Sequence, residues 1–273
     1  AGIGTLIKPD ISKISGNFKS PITINIEDKN ACPVFAGRYI RGVKNGPSPE
    51  WMQRRLISLG MKPISALVDI TNFMTHDYGR PLHVFDADNI AGNLKVRLSK
   101  SGEKLLALDE KEYVFDDQVC VISDNKAINS IGGVMGGAGS GTYDETKNVF
   151  LECAWFDPIR TAMTGRKLGI ESDARYRFER GVDPSTVLDG IEIATRLILD
   201  MCGGQPSEVE VSGKVPVISK TIIMRPERVK ELGQACALGR AGAADEVAQS
   251  IYWLISDDAS YVTGSILDVS GGR

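Results

Sequence analysis

Residues 65–88, S-A-L-V-D-I-T-N-F-M-T-H-D-Y-G-R-P-L-H-V-F-D-A-D, hold both histidines of the chain, His76 and His83. The stretch also places carboxylates, threonines and an asparagine between apolar residues. Because the unperturbed pKa of histidine lies nearest neutral pH, proton or water chemistry would most readily occur here. A histidine between Pro-Leu and Val-Phe is, however, more often a hydrogen-bonded structural residue than a catalyst. The local sequence leaves both interpretations open.

Composition and charge limit the classes of function. Of the 273 residues, 42% are hydrophobic and 25% are charged, and the net charge is −3, as in an ordinary soluble globular protein. This charge argues against a bulk electrostatic nucleic-acid binder, although it is compatible with a local basic patch. The five cysteines include no C-x-x-C pair, so we expect reduced thiols and neither a disulfide framework nor a metal site. No apolar run is long enough to span a membrane, and we expect a cytoplasmic protein.

Alternation of apolar and polar residues predicts several short strands. These strands are expected at residues 22–27, 35–43, 94–98, 104–108, 119–123 and 149–156, the last of them buried. Short strands separated by turn residues indicate either an antiparallel, meander-rich sheet or a barrel-like one, rather than βαβ units. The sequence therefore predicts a β-rich α+β fold with flanking helices.

Three segments carry helix signals. Ser48 as N-cap and Pro49 at the first helical position predict a helix that ends near Gly60. Residues 158–168 predict a second helix. Residues 185–202 predict a third, with one apolar face and a pair of glycines as its stop signal.

The glycine-rich residues 132–141 suggest a nucleotide site, but their context argues against one. A dinucleotide-binding loop follows a strand and opens a helix, whereas turn residues and then a strand follow these glycines. Tyr143 and Lys147, with Ser130 upstream, match the spacing of the catalytic triplet of short-chain dehydrogenases. That triplet requires a helix, which the glycines disfavour, so we interpret the match as chance.

Arginines alternate with aromatic residues in G-I-E-S-D-A-R-Y-R-F-E-R-G-V-D, residues 169–183. Arg175, Arg177 and Arg180 in this pattern suit contacts with phosphates and bases of RNA. The neighbouring carboxylates could equally neutralise the three arginines in a structural salt-bridge network. The sequence leaves both alternatives open.

This segment, together with V-D-I-T-N-F, G-R-P-L-H-V-F-D, I-G-G-V-M-G-G, N-V-F-L-E-C-A-W-F and R-L-I-L-D-M-C-G-G, forms an ordered set of motifs. In order and spacing they resemble the central tRNA-editing region of the β subunit of bacterial phenylalanyl-tRNA synthetase. The resemblance covers residues 1 to about 234. It implies an editing domain over residues 1–215 and the truncated start of the following β-subunit domain over residues 216–234.

The resemblance implies hydrolysis of tyrosine mistakenly esterified to tRNA-Phe. Tyrosine is phenylalanine with an added hydroxyl, and a hydrophobic pocket rejects such a group by only on the order of a hundredfold. A second pocket that hydrogen-bonds the hydroxyl discriminates better, since phenylalanine leaves its polar groups unpaired.

The resemblance also assigns roles to individual residues. Glu152 would accept the tyrosine hydroxyl, Gly136 would shape the pocket floor, and Ser172 and Ala174 would form the wall. Many members of the family carry threonine at the position of Ser172, so this wall would be slightly looser here.

Around the ester and the attacking water, the resemblance places Thr71, Asn72 and His83. His83 would position the water rather than act as an obligatory base, and His76 would be structural or on the surface. Editing would need neither a metal nor a cofactor, whereas the full synthetase would use ATP and Mg²⁺ in other domains. Its partners would be tRNA-Phe and the synthetase α subunit.

Residues 235–273 resemble the C-terminus of a short-chain dehydrogenase, with one helix and a terminal strand. The apolar residues of that helix are expected to be Val247, Ile251 and Leu254. The N-terminal glycine loop and the catalytic helix of that family are missing, so the tail cannot bind NAD by itself. We expect a composite chain whose tail packs on the main domain or mediates self-association.

Two other functions remain as alternatives. One is a non-catalytic RNA-binding or assembly module with the same fold, whose RNA affinity would depend on the three arginines. A remote alternative is an NAD(P)-dependent short-chain oxidoreductase, which rests only on the tail and the chance Y-x-x-x-K match.

Overall fold

The computed structural model describes residues 11–218 and 221–272. The chain divides into two compact units, with a boundary between residues 217 and 218. The predicted segment boundaries near residues 215 and 234 stay a prediction. Residues 1–10 of the predicted editing domain lie outside the described residues.

The first unit combines eleven strands with five helices, counted over its described residues. Its strands are β1 (Ile24–Ile26), β2 (Val34–Arg41), β3 (His83–Asp86), β4 (Leu94–Leu98), β5 (Lys104–Leu106), β6 (Glu112–Val114), β7 (Cys120–Ser123), β8 (Ile128–Ile131), β9 (Met135–Gly136), β10 (Asn148–Trp155) and β11 (Gln205–Gly213). Its helices are α1 (Glu50–Ser58), α2 (Ala66–Asp77), α3 (Pro158–Leu168), α4 (Asp173–Phe178) and α5 (Val187–Cys202). This content confirms the predicted α+β class.

The strands form three separate sheets in the described part of the chain. An antiparallel sheet has the order β11-β2-β10-β3, and a second sheet has the order β1-β4-β7-β8-β9. In the second sheet β1 and β4 are parallel, while its other pairs are antiparallel. The third is the β5–β6 hairpin. Each sheet has two open edges, so the barrel-like alternative was wrong.

Strand β10 is buried on both faces because it lies between two cores. Val149, Leu151 and Cys153 belong to a core that α2 and α5 cover. Phe150 and Ala154, on the opposite face, belong to the core that includes residues of the second sheet. Since side chains alternate between the faces of a strand, Glu152 faces the second core. A continuous apolar run with one carboxylate therefore buries that carboxylate.

The stretch that holds both histidines folds as a helix followed by a strand. Residues 66–77 form α2, which the sequence did not predict, and residues 83–86 form β3. Buried Asp69 anchors the helix: it accepts hydrogen bonds from Ser48 Oγ at 2.5 Å and from the Ile64 amide at 2.9 Å. Because Ser48 is engaged there, it does not cap α1, and Pro49 is the N-cap instead. The predicted capping role of Ser48 was therefore wrong.

The second unit contains α6 (Pro226–Gln234) and α7 (Ala244–Leu254) among its described residues. Val247, Ile251 and Leu254 lie on α7 as predicted, but all three are exposed. The predicted terminal strand is absent from the described residues up to 272. A strand requires a sheet neighbour, and no described strand pairs with this segment, although the Ala237 and Leu238 amides donate to the Gly272 and Gly271 carbonyls.

The described residues provide neither a membrane-spanning helix nor a cluster of metal ligands. No helix there is both long and apolar enough to cross a membrane. No group of three or more histidine, cysteine or acidic side chains is placed there to hold a metal ion.

Candidate active site

A narrow cavity lies between β3, the β8–β9 hairpin, β10 and α4. Its volume is about 60 Å³, which is room for a few water molecules. The ionisable and hydroxyl side chains that line it are His83, Ser130 and Glu152. The remaining lining is mostly apolar and includes Phe156 and Phe178, whose rings meet edge to face at 5.3 Å. A few polar groups within apolar walls are typical of a ligand pocket.

Glu152 is the buried acid of this cavity, and it is 5% exposed. On β10 it lies directly opposite His83 of β3 and Gly37 of β2. Burial raises the pKa of Glu152 to about 8, although the nearby Arg80 guanidinium acts in the opposite direction. The carboxyl is therefore mostly protonated at neutral pH, and it can donate a hydrogen bond as well as accept one.

His83 is the second buried ionisable group of the cavity. Its ring packs edge to face on Phe85, with 4.4 Å between the ring centroids. Burial lowers the pKa of His83 to about 4, so the imidazole is neutral at pH 7. Its Nε2 is buried and has no hydrogen-bond partner in the described protein. An unpartnered buried nitrogen is costly, and a bound water or ligand would relieve that cost.

Gly136 lies where a side chain would fill the cavity. A Cβ at this position would lie 2.5 Å from His83 Cε1 and 3.0 Å from Leu108 Cδ1. Both distances are shorter than a normal carbon–carbon contact, so the ring of His83 requires a glycine here.

Ala174 and Ser172 lie on the α4 side of the cavity. Ala174 lines it directly. Ser172 is the N-cap of α4: its Oγ accepts from the Arg175 amide at 3.1 Å and donates to the Val134 carbonyl at 2.6 Å. Because Val134 lines the cavity, Ser172 holds the wall in place without being one of the lining residues.

Thr71 and Asn72 do not line the cavity, although the resemblance placed them with His83. Both lie on α2 and are half-buried. The hydroxyl of Thr71 donates to the Val68 carbonyl at 2.7 Å within the same helix. Thr71 and Asn72 therefore do not join His83 in the lining of this cavity, and their expected role near the ester stays a prediction.

Three larger depressions lie on the surface of the same unit. One of about 460 Å³ lies over α4, one of about 570 Å³ runs along α3, and one of about 440 Å³ lies beside Arg38 and α5. Their charged side chains are exposed or take part in ion pairs and hydrogen bonds, such as the contact of Lys167 with Asp116. The smaller cavity combines two buried groups whose pKa values are strongly shifted, which is the signature of a functional site.

Comparison with known proteins identifies the domain that holds this cavity. Residues 31–203 match the family model described as B3/4 domain, and they include every residue that lines the cavity. The chain belongs to the B3/4 domain family. Residues 217–273 match a different model, described as Enoyl-(Acyl carrier protein) reductase.

Curated relatives of the B3/4 domain chain include two phenylalanine–tRNA ligase β subunits. The protein of Mesorhizobium japonicum is 56% identical over 213 residues, which are 78% of this chain and 27% of that protein. The protein of Paramagnetospirillum magneticum is 52% identical over 236 residues, which are 85% of this chain and 30% of that protein. The chain thus spans less than a third of the length of these relatives.

Among solved structures, the chain is similar to an N-terminal fragment of the phenylalanyl-tRNA synthetase β subunit from Pyrococcus horikoshii. The TM-score is 0.45 at 14% sequence identity, over 71% of this chain and 53% of that fragment.

The three arginines of α4 and the turn after it are paired with carboxylates in the B3/4 domain. Arg175 contacts Glu179 at 3.0 Å, and Arg180 contacts the same carboxylate at 2.7 Å. Arg177 contacts Asp173 at 2.9 Å. The geometry therefore favours the salt-bridge network over free RNA-binding arginines.

His76 belongs to this network and lies outside the cavity. Its Nδ1 is 3.1 Å from Arg177 Nη2, and its Nε2 is 3.5 Å from Asp173 Oδ1. These contacts join the end of α2 to α4, which agrees with the structural role expected for His76.

Arg80 lies within the G-R-P-L-H motif, but the sequence did not lead us to predict it as a residue of the site. It is 1% exposed, and it donates to the Ala154 carbonyl and to the Cys153 thiol on β10. A charged residue inside an otherwise apolar motif was the available signal, but the sequence alone gives it no partner.

Proposed function

We propose that the B3/4 domain of this chain hydrolyses the ester of tyrosine mischarged onto tRNA-Phe. Support comes from the family match and from the high identity to a segment of phenylalanine–tRNA ligase β subunits. The chemistry of the cavity around Glu152 and His83 supports it independently.

One observation carries the proposal: the Glu152 carboxyl, whose pKa burial raises to about 8, lies in a cavity that Phe156 and Phe178 help to line. Apolar walls suit a phenolic ring, and they must move apart to admit it, because a cavity of about 60 Å³ holds only a few water molecules. The phenol hydroxyl can then exchange hydrogen bonds with neutral Glu152. Phenylalanine would leave the Glu152 hydroxyl buried and unpaired, which costs about 1–3 kcal/mol. The site therefore selects tyrosine for hydrolysis and spares the correct phenylalanyl ester.

His83 suits the positioning of water better than proton abstraction. A base with a pKa of about 4 is too weak to remove a proton from water at neutral pH. Its unpartnered Nε2 can instead hydrogen-bond the attacking water or the ester. The water oxygen forms a bond to the acyl carbon, the bond from that carbon to the ribose oxygen breaks, and a proton from water passes to the ribose oxygen.

The partners and cofactors belong to the same proposal. The substrate is tRNA-Phe that carries tyrosine, and the α subunit is the partner within the full synthetase. Editing proceeds in the cytoplasm without a cofactor, while ATP and Mg²⁺ serve aminoacylation in other domains.

The test is deacylation of Tyr-tRNA-Phe and Phe-tRNA-Phe by the purified chain at pH 7.5. We expect hydrolysis of the tyrosyl ester to exceed hydrolysis of the phenylalanyl ester. Glu152→Ala should reduce the tyrosyl rate at least about tenfold, because the hydroxyl loses its partner. His83→Ala should also reduce that rate.

Glu112→Gln is the matched control. Glu112 is an exposed carboxylate of β6, paired with Lys104 at 2.8 Å. Its replacement should leave both rates unchanged. A wild-type chain that hydrolyses Tyr-tRNA-Phe no faster than Glu152→Ala would contradict the proposed function.

A further inference from the structure

Arg80 occupies the edge of β10 at the point where its neighbouring strand has not yet begun. The β3–β10 pairing stops at the pair His83 and Glu152, whereas β10 continues to residue 155. At this edge Arg80 Nη2 donates to the Ala154 carbonyl at 2.5 Å, and Nε donates to Cys153 Sγ at 3.2 Å. The guanidinium thus supplies donors that a neighbouring strand would otherwise supply, at the two residues that follow Glu152.

The charge of Arg80 has no ion-pair partner among the described residues. Its third hydrogen bond goes to the backbone carbonyl of Asp183 at 3.3 Å. Its guanidinium lies 6.0 Å from the ring of Phe178, which lines the cavity. A guanidinium keeps its charge even when buried, and water screens its field little there.

The other ionisable groups around Glu152 are neutral at pH 7. On β3, the pKa of His83 is about 4. The hairpin side of the cavity, β8 and β9, contributes Ser130 and Gly136. Burial raises the pKa of every thiol that interacts with the Glu152 carboxyl, namely Cys32, Cys120 and Cys153.

Arg80 is therefore the charged neighbour that counteracts the effect of burial on Glu152. Hydrogen bonds from Ser185 chiefly lower the pKa of the exposed Asp183 carboxylate, and Arg80 adds a small effect in the same direction. Since Arg80 is fixed by three hydrogen bonds, its distance from Glu152 is fixed as well.

We propose that Arg80 is a positioning residue for Glu152: its cation, held at residues 153 and 154 of β10, strengthens the hydrogen bond from the Glu152 carboxyl to a tyrosine hydroxyl and so the discrimination between tyrosyl and phenylalanyl esters. This proposal rests on the proposed editing function. A nearby cation makes the protonated carboxyl a stronger donor to the tyrosine hydroxyl. It also raises the cost of leaving that carboxyl unpaired beside phenylalanine.

The first test measures the Glu152 titration directly, without any tRNA. Carboxyl ¹³C NMR of glutamate-labelled chain gives the midpoint, and Glu152→Gln assigns the signal. In Arg80→Gln, which retains hydrogen-bonding capacity without charge, we expect the midpoint to rise by about one pH unit or more. In Arg80→Lys, which keeps a charge, we expect less than half of that rise.

Arg97→Gln is the matched control, because it also removes a largely buried arginine. Arg97 pairs with Glu103 at 2.8 Å and does not line the cavity. It should leave the Glu152 midpoint unchanged. An unchanged midpoint in Arg80→Gln, or equal shifts in the glutamine and lysine variants, would overturn the proposal.

If Arg80→Gln does not fold, Arg80→Lys tests the same cation, because a lysine ammonium keeps the charge but not the three hydrogen bonds that hold the guanidinium in place. The Glu152 midpoint should then rise by up to about half a pH unit. A midpoint that stays constant or falls would contradict the role of Arg80.

The second test compares kcat/KM for Tyr-tRNA-Phe and Phe-tRNA-Phe. The ratio should fall about tenfold in Arg80→Gln and recover largely in Arg80→Lys. An unchanged ratio would overturn the discriminating role. If the wild-type chain hydrolyses neither ester, the proposed function fails, while the NMR titration still decides whether Arg80 controls Glu152.

Discussion

At the scale of single residues, the cavity depends on two groups that burial shifts in opposite directions. Burial opposes the charged form of each group, so Glu152 holds its proton and His83 does not accept one. Both are therefore neutral at pH 7, and the cavity can take a neutral phenol without burying an uncompensated anion.

Glu152 also makes stability depend on pH. Its folded pKa of about 8 lies above its unfolded value of 4.5, so its contribution is full below pH 4.5 and is lost as pH rises toward 8. We expect Glu152→Gln to be more stable than wild type at pH 8, by on the order of a few kcal/mol, with little difference at pH 5. Urea unfolding at both pH values measures this difference.

The contribution of His83 cancels in that comparison. Its folded pKa is lowered from 6.5 to about 4, so its stabilisation is present above pH 6.5 and is lost as pH falls toward 4, equally in both proteins. A stability difference between Glu152→Gln and wild type that does not grow with pH would contradict a protonated Glu152.

Gly136 gives a steric prediction at the same scale. Gly136→Ala places a Cβ against His83 Cε1, so the ring or the β8–β9 hairpin must move. We expect a loss of about 1–3 kcal/mol in stability and a strong loss of tyrosyl-ester hydrolysis. Gly139→Ala, at a glycine with open space around its Cβ position, is the control and should leave hydrolysis unchanged.

At the scale of elements, β10 organises the unit because it pairs with both β2 and β3 and is buried on both faces. The cavity forms beside the last pair of β3 and β10, His83 and Glu152, and Ala174 and Phe178 of α4 line one of its walls. The N-cap of α4 is therefore part of the cavity wall, through the hydrogen bond from Ser172 to Val134.

Substitutions of Ser172 test whether the N-cap of α4 also supports the cavity wall at Val134. Ser172→Ala removes both the cap and the bond to the Val134 carbonyl, and we expect a loss of about 1 kcal/mol in stability. Ser172→Thr keeps both hydrogen bonds and should lie near wild type. Thermal unfolding measures the two effects, and an alanine variant as stable as the threonine variant would contradict the capping role.

At the scale of the whole molecule, the three hydrophobic clusters of the described residues all lie within residues 22–202. The second unit has α7, whose apolar side chains are exposed. Nothing that lines the cavity comes from that unit.

A chain that ends at residue 217 should therefore keep the thermal midpoint of the first unit and the Glu152 titration. The sequence led us to expect that the tail mediates self-association, and the exposed face of α7 is the candidate surface. In that case light scattering should give the molar mass of an oligomer for the full chain and of a monomer for the shortened chain. A Glu152 midpoint that changes on removal of residues 218–273 would contradict the independence of the cavity.

The sequence predicted most regular elements because their signals are local. Helix α3 has the predicted bounds, since Asp157 caps it and Gly169 ends it in the left-handed conformation. Helix α2 was missed because its polar side chains, such as Asp69, find their partners in residues distant in sequence. The prediction of a strand at the end of the chain was wrong for the same reason, because a strand forms only where another strand pairs with it.

The sequence by itself determined the α+β class, the family resemblance and, for the site, the buried acid on β10. These follow from local patterns and ordered motifs. Only the tertiary structure decided which residues meet. It placed His83 opposite Glu152, kept Thr71 and Asn72 on α2 away from the cavity lining, and brought Arg80 to the edge of β10. Strand register and burial fix these neighbours and their protonation, and both depend on contacts between residues distant in sequence.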